Sequence, residues 1–265
     1  MARTSGPSLK ARKNSGEKIA VLTAYDYPSA KLMDECGVDV VLVGDSVGMV
    51  VMGLPNTLHV AMDDMLHYVR IVSRAVDRAM VVADMPFLSY QISVEEAVRN
   101  AGRFIAEAGA QAVKLEGGAF EFGDVIRGIH RAGIPVMGHI GLMPQSVLQL
   151  GGYKIQGRDS DSKERLLAEA KGLEEAGCFA IVLECIPSDL AGTITHSISI
   201  PTIGIGAGPE CDGQVLVMHD MLGLGKYTKF AKVYVDLAAA MRTAFSSYVH
   251  EVKDGLFPSG ENTFK

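Results

Sequence analysis

The segment VDVVLVGDS, from Val38 to Ser46, decides how the rest of the sequence is interpreted. Its apolar run is almost unbroken and rich in β-branched valine, which is typical of a strand buried on both faces. The run stops at Gly44, and a carboxylate and a hydroxyl follow at once, Asp45 and Ser46. The segment therefore predicts a strand of a parallel sheet whose carboxyl end carries polar groups.

Runs of the same kind recur along the whole chain, with longer amphipathic segments between most of them. The eight predicted strands are Ile19–Leu22, Val38–Val43, Met80–Ala83, Ala112–Leu115, Pro135–Gly138, Ala180–Leu183, Thr202–Gly204 and Val215–Met218. The predicted helices are Asp63–Arg78, Ser93–Ala108, Phe120–Ala132, Asp161–Ala176, Ser188–Ser199 and, after the last strand, Tyr234–Val252. This number of strand–helix units in 265 residues predicts an α/β protein, a closed (β/α)8 TIM barrel.

A doubly wound open sheet is the alternative architecture. It would use fewer strands, and a dinucleotide-binding version would carry G-x-G-x-x-G after an early strand. The glycine-rich segment of this chain, Gly204–Gly208, comes late instead. No linker or change of composition divides the sequence. We therefore expect a single domain over residues 1–265, with a short surface helix before the first strand and a closing helix at the C-terminal end.

The composition excludes several classes of protein. Apolar residues make up 48% of the chain and its net charge is only -6, which excludes intrinsic disorder. Four cysteines are too few for a disulfide scaffold, and they form no C-x-x-C pair of a zinc or redox motif. Because acidic residues outnumber basic ones, 31 to 25, we expect no nucleic-acid partner.

The sequence also bears on location. The longest uncharged stretches are interrupted by Gly, Pro, Ser and Gln, which a membrane-spanning helix rarely carries together. The first twenty residues lack the apolar core of a secretory signal. Their basic character leaves an organelle transit peptide as an alternative to a surface helix. We expect a cytoplasmic protein without a membrane partner.

Polar or ionisable groups occur at the ends of five consecutive predicted strands. In chain order they are Asp45 and Ser46, Asp84, Lys114 and Glu116, His139, and Glu184. Active sites of (β/α)8 barrels lie at the carboxyl ends of the strands. Each residue alone has an ordinary structural explanation, as a helix cap, a hydrogen-bonded histidine or an ion-pair partner. Together they predict one shared site.

The residue types at these positions favour one kind of chemistry. Asp45, Asp84 and Glu116 supply the carboxylate oxygens that Mg²⁺ prefers, without the thiolates typical of zinc. A 2-oxo acid can chelate such a cation, which acidifies the neighbouring C–H bond. Lys114 lies on the same strand face as Glu116 and can stabilise the developing enolate, while Glu184 can remove the proton. The residues therefore predict metal-assisted enolisation of an oxo acid.

Nine segments carry a more specific signal. They are LTAYDYPSAK (Leu22–Lys31), LVGDSVGMVVMG (Leu42–Gly53), ADMPFLSY (Ala83–Tyr90), VKLEGG (Val113–Gly118), GHIGLMPQSV (Gly138–Val147), GGYKIQGR (Gly151–Arg158), LECIP (Leu183–Pro187), IGIGAG (Ile203–Gly208) and DGQVLVMHDMLG (Asp212–Gly223). In this order they resemble the ketopantoate hydroxymethyltransferase family of the pantothenate and coenzyme A pathway. The resemblance covers the chain from about Leu22 to Phe257.

The resemblance implies a (β/α)8 barrel, Mg²⁺ and a defined reaction. A hydroxymethyl group passes from 5,10-methylenetetrahydrofolate to 3-methyl-2-oxobutanoate (2-oxoisovalerate), which gives 2-dehydropantoate and tetrahydrofolate. It also implies residue roles, with Glu184 as the general base. The implied metal site consists of Asp45 and Asp84, completed by Glu116 either directly or through water. The implied oxo-acid contacts are Asp45, Ser46, Asp84 and Lys114, with His139 beside them. The family further implies a homo-oligomer, typically a homodecamer.

Two alternative functions stay open at the level of sequence. One is another metal-dependent enolising barrel, such as a lyase of the phosphoenolpyruvate mutase and isocitrate lyase group. Such enzymes usually carry a reactive cysteine in a Lys-Lys-Cys-Gly-His type of loop, which this sequence lacks. The other is a non-catalytic metabolite-binding barrel. The presence of every predicted metal, lysine and base residue weighs against it.

Overall fold

The computed structural model describes residues 3–152, 154–225 and 228–264. In this part of the chain, eight parallel strands form a closed barrel in sequence order, with the first strand paired to the last. The strands are β1 Ile19–Thr23, β2 Val40–Val43, β3 Met80–Asp84, β4 Ala112–Lys114, β5 Val136–Gly141, β6 Cys178–Glu184, β7 Thr202–Ile205 and β8 Gly213–Leu216. The predicted (β/α)8 barrel is confirmed, and an open doubly wound sheet is excluded.

The helices of the described residues precede, separate and follow the strands. They are α1 Gly6–Ser15, α2 Tyr27–Glu35, α3 Val47–Val50, α4 Met62–Ala75, α5 Val94–Ala106, α6 Ala119–Arg131, α7 Val147–Leu150, α8 Ser160–Ala176, α9 Ser188–Ser197, α10 Met218–Met221 and α11 Leu237–Lys253. Short 3-10 turns lie at Thr57–His59, Pro144–Ser146 and Gly260–Asn262. None of these helices is long and apolar enough to cross a membrane.

Local sequence explains where the long helices begin and end. Ser93 caps α5 by accepting the backbone N–H of Glu96, as its position before the apolar run predicts. Asp159 caps α8 in the same way through the N–H of Ser162. The helix ends where Gly177 adopts a left-handed conformation with φ 103°, which glycine tolerates without strain. Helix ends of this kind return the chain to the amino end of the next strand.

Each predicted strand overlaps an observed one, but its bounds differ by one to three residues at one or both ends, and the last and fifth strands are examples. The last strand is Gly213–Leu216 rather than Val215–Met218, and Met218 instead opens α10. Its first two residues, Gly213 and Gln214, are not apolar, so the hydrophobic pattern missed them. The fifth strand continues past Gly138 to Gly141, so that His139 lies inside the strand.

The helix before the first strand contributes to the core, although its sequence predicted a surface position. Leu9 of α1 is fully buried and joins the cluster of apolar side chains inside the barrel. Gly6 lies so close to β6 that a Cβ atom there would stand 3.1 Å from the Cβ of Phe179. Because Phe179 lies near the start of its strand, α1 covers the amino end of the barrel.

The barrel and its helices up to Val217 form one compact unit, and residues from Met218 onward form a second. The second unit contains α10 and α11, and α11 corresponds to the helix predicted at Tyr234–Val252. No residue of α11 is buried. The prediction of one domain over residues 1–265 stays a prediction.

Candidate active site at the carboxyl ends of the strands

The predicted site residues converge at one end of the barrel. Asp84, Lys114 and Glu184 are the last residues of β3, β4 and β6, and Asp84 is paired with Lys114 in the sheet register. The side chains that become buried there are Asp45, Asp84, Lys114, Glu116 and His139, each at most 4% exposed. Ser46 and Glu184 are half-buried. Five strands thus deliver ionisable groups to one small region.

A buried ion pair forms the centre of this region. Lys114 Nζ lies 2.5 Å from Asp84 Oδ1, and each side chain is only 6% exposed. Burial alone would lower the pKa of Lys114, but the charges of Asp84, Glu116 and Asp45 outweigh it and raise the pKa above its usual range. Lys114 therefore carries a permanent positive charge at neutral pH.

The two other carboxyl groups are crowded by negative charge. Burial and the neighbouring charge of Asp84 raise the pKa of Asp45 to about 7, against the lowering influence of Lys114. Burial and the charge of Asp45 likewise raise the pKa of Glu116 well above its usual range. Three carboxylates share one ammonium here, so full ionisation leaves two uncompensated negative charges. A divalent cation would balance them.

The donor set fits a cation that completes its coordination with other ligands. Among the described residues, no group of three His, Cys, Asp or Glu side chains is arranged to hold a metal ion. Mg²⁺ characteristically takes one or two protein carboxylates and keeps water or substrate oxygens for the rest. Asp45 and Asp84 are adjacent, because the Asp45 backbone N–H donates to Asp84 Oδ2 at 3.2 Å. These carboxylates suit a cation shared with a chelating ligand.

His139 lies between two of the carboxylates. Its Nε2 is 3.3 Å from Glu184 Oε2, and its Nδ1 is 3.8 Å from Glu116 Oε1. Within the described part of the chain, neither ring nitrogen completes a hydrogen bond of good geometry, although His139 is 2% exposed. Burial and the charge of Lys114 lower the pKa of the imidazole, which is therefore neutral at physiological pH.

Ser46 is held by a tyrosine that the sequence did not single out. The hydroxyl groups of Tyr25 and Ser46 lie 2.7 Å apart. Tyr25 is 2% exposed, and burial raises the pKa of its phenol far above the usual value, so it stays protonated. Tyr25 belongs to the segment LTAYDYPSAK, and its place just after β1 is the signal that could have identified it.

Glu184 stands on a constrained piece of backbone. Its carbonyl oxygen accepts the N–H of Leu142 at 2.9 Å, and a Cβ on Gly141 would come within 2.2 Å of that oxygen. Gly141 also has a φ of 101°, so only glycine fits this position. The next residue, Cys185, has a φ of 49°, an uncommon conformation for a side chain of this kind. Such local strain is characteristic of functional sites.

Gln145 is a further buried polar residue that contacts the site. Its side chain donates to Asp45 and its backbone N–H donates to Glu116. It follows β5 in the segment GHIGLMPQSV, but an uncharged amide in a loop gives no periodic or charge signal. A pattern defined by acidic residues at the strand ends therefore does not include Gln145.

A cavity of about 700 Å³ borders this region. It extends outward from the strand ends of β4 and β5 to helices α6 and α8. Its lining includes Tyr90, Glu116, Phe122, Gln145, Leu148 and Arg165. The volume falls within the range of roughly 300–1,000 Å³ that is usual for small-molecule pockets.

Comparison with known proteins gives the family. A family model described as ketopantoate hydroxymethyltransferase matches residues 3–260. The chain belongs to the ketopantoate hydroxymethyltransferase family. The 3-methyl-2-oxobutanoate hydroxymethyltransferase of Thermoanaerobacter sp. (strain X514) is 54% identical over 264 residues, which cover 99% of this chain and 96% of that protein. The enzyme of the same name from Carboxydothermus hydrogenoformans is 56% identical over 266 residues, or 100% and 96% of the two chains.

Solved structures outside the ketopantoate hydroxymethyltransferase family share the barrel. A phosphonopyruvate hydrolase superposes with a TM-score of 0.64 at 16% identity, covering 98% of this chain and 93% of that one. A 2,3-dimethylmalate lyase of the phosphoenolpyruvate mutase and isocitrate lyase superfamily gives a TM-score of 0.62 at 17% identity, covering 100% and 93%. At this level of identity the likeness concerns the fold alone.

Proposed function

We propose that this protein transfers a hydroxymethyl group from 5,10-methylenetetrahydrofolate to 3-methyl-2-oxobutanoate. The products are 2-dehydropantoate and tetrahydrofolate, and one water is consumed. The observation that carries the proposal is the convergence of Lys114, Glu184 and three buried carboxylates at one end of the barrel, in a chain of this family. The reaction replaces the C3–H bond of the oxo acid by a C–C bond, so it requires a base and a means of stabilising an enolate.

Mg²⁺ is the proposed cofactor, with Asp45 and Asp84 as its ligands and Glu116 completing the site through water, since no three such side chains of the described residues are arranged to hold the ion together. When bound, the cation supplies Lewis acidity that draws electron density from the keto group and acidifies C3–H. The side chains themselves bring the negative charge that such a cation neutralises.

Glu184 and Lys114 are the proposed reacting side chains. Glu184 accepts the C3 proton, and the ammonium of Lys114 offsets the negative charge that develops on the keto oxygen. Because the pKa of Lys114 is raised, this charge is already in place before the substrate ionises. A fixed charge of this kind needs no reorganisation during the reaction.

His139 and Ser46 are proposed to orient the reactants. The neutral imidazole of His139, 3.3 Å from Glu184 Oε2, can direct the carboxylate toward the substrate without neutralising it. Ser46 can donate to a carboxylate oxygen of the oxo acid, with its hydroxyl held by Tyr25. Both groups therefore act by positioning.

The second substrate needs a space next to the oxo acid. The cavity of about 700 Å³ beside Glu116 is large enough for a folate derivative, and its lining includes the half-buried ring of Phe122, against which a flat ring can pack. We therefore propose it as the side from which the one-carbon donor approaches. The one-carbon donor in this cavity and the oxo acid at the strand ends would then be bound at the same time.

We also propose a homo-oligomer, a decamer by family resemblance, in the cytoplasm. One face of α11 exposes five apolar side chains at helical spacing: Met241, Phe245, Tyr248, Val249 and Val252. An exposed stripe of this kind fits contact with another copy of the chain. Light scattering coupled to gel filtration gives the subunit number directly.

Proton NMR of 3-methyl-2-oxobutanoate in D₂O tests the proposed function. With protein and Mg²⁺, the C3–H signal should disappear by exchange, and EDTA should stop this loss. Addition of tetrahydrofolate and formaldehyde should then produce 2-dehydropantoate. Exchange without product would instead favour another enolising enzyme. Neither exchange nor product, from folded and metal-loaded protein, would favour a non-catalytic barrel.

A further inference from the structure

Gln145 makes contacts with two of the three carboxyl groups of the proposed metal site, those of Asp45 and Glu116. Its side-chain Nε2 donates to Asp45 Oδ2 at 2.9 Å, and its backbone N–H donates to Glu116 Oε2 at 2.9 Å. The residue is 6% exposed and lies in the 3-10 turn Pro144–Ser146 after β5. One residue thus links the strand ends of β2 and β4 to the loop that follows β5.

The amide group of Gln145 has all its hydrogen-bonding capacity in use. The second hydrogen on Nε2 is donated to the carbonyl oxygen of Met85 at 2.9 Å. Its Oε1 accepts from the hydroxyl of Tyr90 at 3.0 Å and from Nε2 of Gln91 at 3.2 Å. A rotated amide would direct its oxygen at two acceptors and its NH₂ at two donors, so only one orientation is stable.

These bonds select the carboxylate oxygens that are left for a cation. Gln145 holds Oδ2 of Asp45 and Oε2 of Glu116, so Oδ1 and Oε1 are the oxygens of the two groups that Gln145 does not occupy. The holding group is neutral, unlike a lysine or arginine, so it fixes the carboxylates without competing for their charge. Asp45 and Glu116 repel each other, and a fixed donor to each keeps both in place despite that repulsion.

Tyr90 contacts both Gln145 and Glu116 through its hydroxyl group. Its hydroxyl accepts the backbone N–H of Glu116 at 3.2 Å, and its hydrogen lies within reach of the Glu116 carbonyl oxygen as well as Gln145 Oε1. The ring packs edge-on against Phe122 with centroids 5.2 Å apart. Gln145 and Tyr90 together form a buried hydrogen-bond network around the backbone of Glu116.

We propose that Gln145 is a positioning residue that fixes Asp45 and Glu116 for cation binding. This role rests on the proposed function, because that function requires a metal ion at these carboxylates. The role predicts that loss of the Gln145 side-chain donors weakens cation binding in the absence of any substrate. It also predicts that excess cation restores much of the activity, because the reacting groups Lys114 and Glu184 are untouched.

The test compares Gln145→Met with a matched control, Gln149→Met. Methionine has nearly the shape of glutamine but no donors, and Gln149 is exposed four residues further along the chain, in α7. Mn²⁺, which takes the same oxygen ligands, is titrated into each protein and the free ion is followed by electron paramagnetic resonance. We expect Gln145→Met to bind Mn²⁺ roughly ten- to hundredfold more weakly than the parent and the control.

Turnover provides a second readout that a purely structural role would not produce. The Mg²⁺ concentration for half-maximal rate should rise by a similar factor in Gln145→Met, while the rate at saturating Mg²⁺ should fall much less. Circular dichroism in EDTA checks that the variant is folded. If it is not, Tyr90→Phe carries the test, because it removes only the hydroxyl and keeps the ring against Phe122. A few-fold loss of Mn²⁺ affinity is then the expected result.

The outcomes separate this inference from the proposed function. Mn²⁺ binding by Gln145→Met within twofold of the parent overturns the positioning role and leaves the metal site intact. An unchanged affinity in Tyr90→Phe has the same meaning if that variant is the one that folds. A parent protein that binds no Mn²⁺ overturns both the metal site and the role of Gln145.

Discussion

His139 Nε2 lies 3.3 Å from Glu184 Oε2, and this contact joins the interior of β5 to the last residue of β6. The imidazole is buried and neutral, while the side chain of Glu184 is 16% exposed. A neutral partner orients the carboxylate and leaves its charge available. The pair therefore has the arrangement expected of a base and the residue that positions it.

Glu184→Gln is expected to separate binding from proton removal. Glutamine has the same shape but accepts no proton at neutral pH, so affinity for 3-methyl-2-oxobutanoate should stay within about threefold. Loss of a positioned general base typically costs roughly a hundred- to ten-thousandfold in rate. Deuterium exchange at C3, followed by NMR, should therefore become hard to detect. Exchange at near the parental rate would show that another group is the base.

Asp84→Asn should weaken the cation and the oxo acid together. The change removes one negative charge from the carboxylate cluster, and an amide is a poorer ligand for a hard cation. We expect the affinity for Mn²⁺ and the Mg²⁺-dependent affinity for oxo acid each to fall about tenfold or more, equal to about 1.4 kcal/mol. Calorimetric titration measures both.

The control for this variant is Asp124→Asn on α6, whose side chain is 87% exposed in a surface pair with Arg127. It should bind both ligands as the parent does. Oxo-acid affinity that is the same with and without Mg²⁺ in the parent protein would contradict the chelate on which the prediction rests.

Lys114→Met should make the folded protein depend on a divalent cation. The substitution leaves Asp84 without the ammonium that lies 2.5 Å away, and removal of one partner of a buried pair costs about 3–5 kcal/mol. A bound cation can replace the missing charge. We therefore expect a lower melting temperature in EDTA, a large part of which Mg²⁺ restores, while C3 exchange stays abolished.

The parent protein sets the comparison for Lys114→Met, because its own melting temperature should rise only modestly with Mg²⁺. A variant whose melting temperature is equally low in EDTA and in excess Mg²⁺ would speak against a cation at these carboxylates.

The barrel was predictable because its strands from β2 to β7 are buried on both faces and therefore have nearly continuous apolar sequences. The same regularity predicted where the candidate site lies, since the residues that follow such runs meet at one end of the barrel. The start of β8 was not predictable in this way. Gly213 and Gln214 join the sheet through backbone hydrogen bonds, and the side chain of Gln214 is exposed.

Two other features depend on contacts between distant parts of the chain. Leu9 reaches the core from a short helix that is otherwise mostly polar, so no apolar periodicity marks it. Gln145 contacts Asp45 across 100 residues of sequence, and its importance follows from the hydrogen bonds it makes there. Charge and periodicity point to candidate ionisable groups, whereas a neutral residue that contacts two of them emerges only from the three-dimensional arrangement.

Asp34 provides a test of how the barrel itself depends on pH. This carboxylate of α2 accepts the backbone N–H groups of Asp77, Arg78 and Ala79, at distances of 2.7–3.2 Å, just before β3 begins. Burial raises the pKa of Asp34, but these backbone hydrogen bonds outweigh it and lower the pKa below its usual value. The ionised form therefore stabilises the folded state.

Asp34→Asn should lower the free energy of unfolding by about 1–3 kcal/mol at pH 7, because the amide NH₂ faces a donor and cannot accept its hydrogen bond. Since the folded-state pKa lies below the unfolded value of about 3.9, the carboxylate contributes fully above that value. The contribution is lost as the pH falls through the lower, folded-state pKa. Urea unfolding should therefore show a difference between parent and variant that is constant from pH 7 to pH 5 and shrinks toward pH 3.

Asp124→Asn should show no such difference at any pH, because an exposed pair contributes little to stability. A difference for Asp34→Asn that persists unchanged at pH 3 would mean that packing, and not the charge of the carboxylate, accounts for the loss.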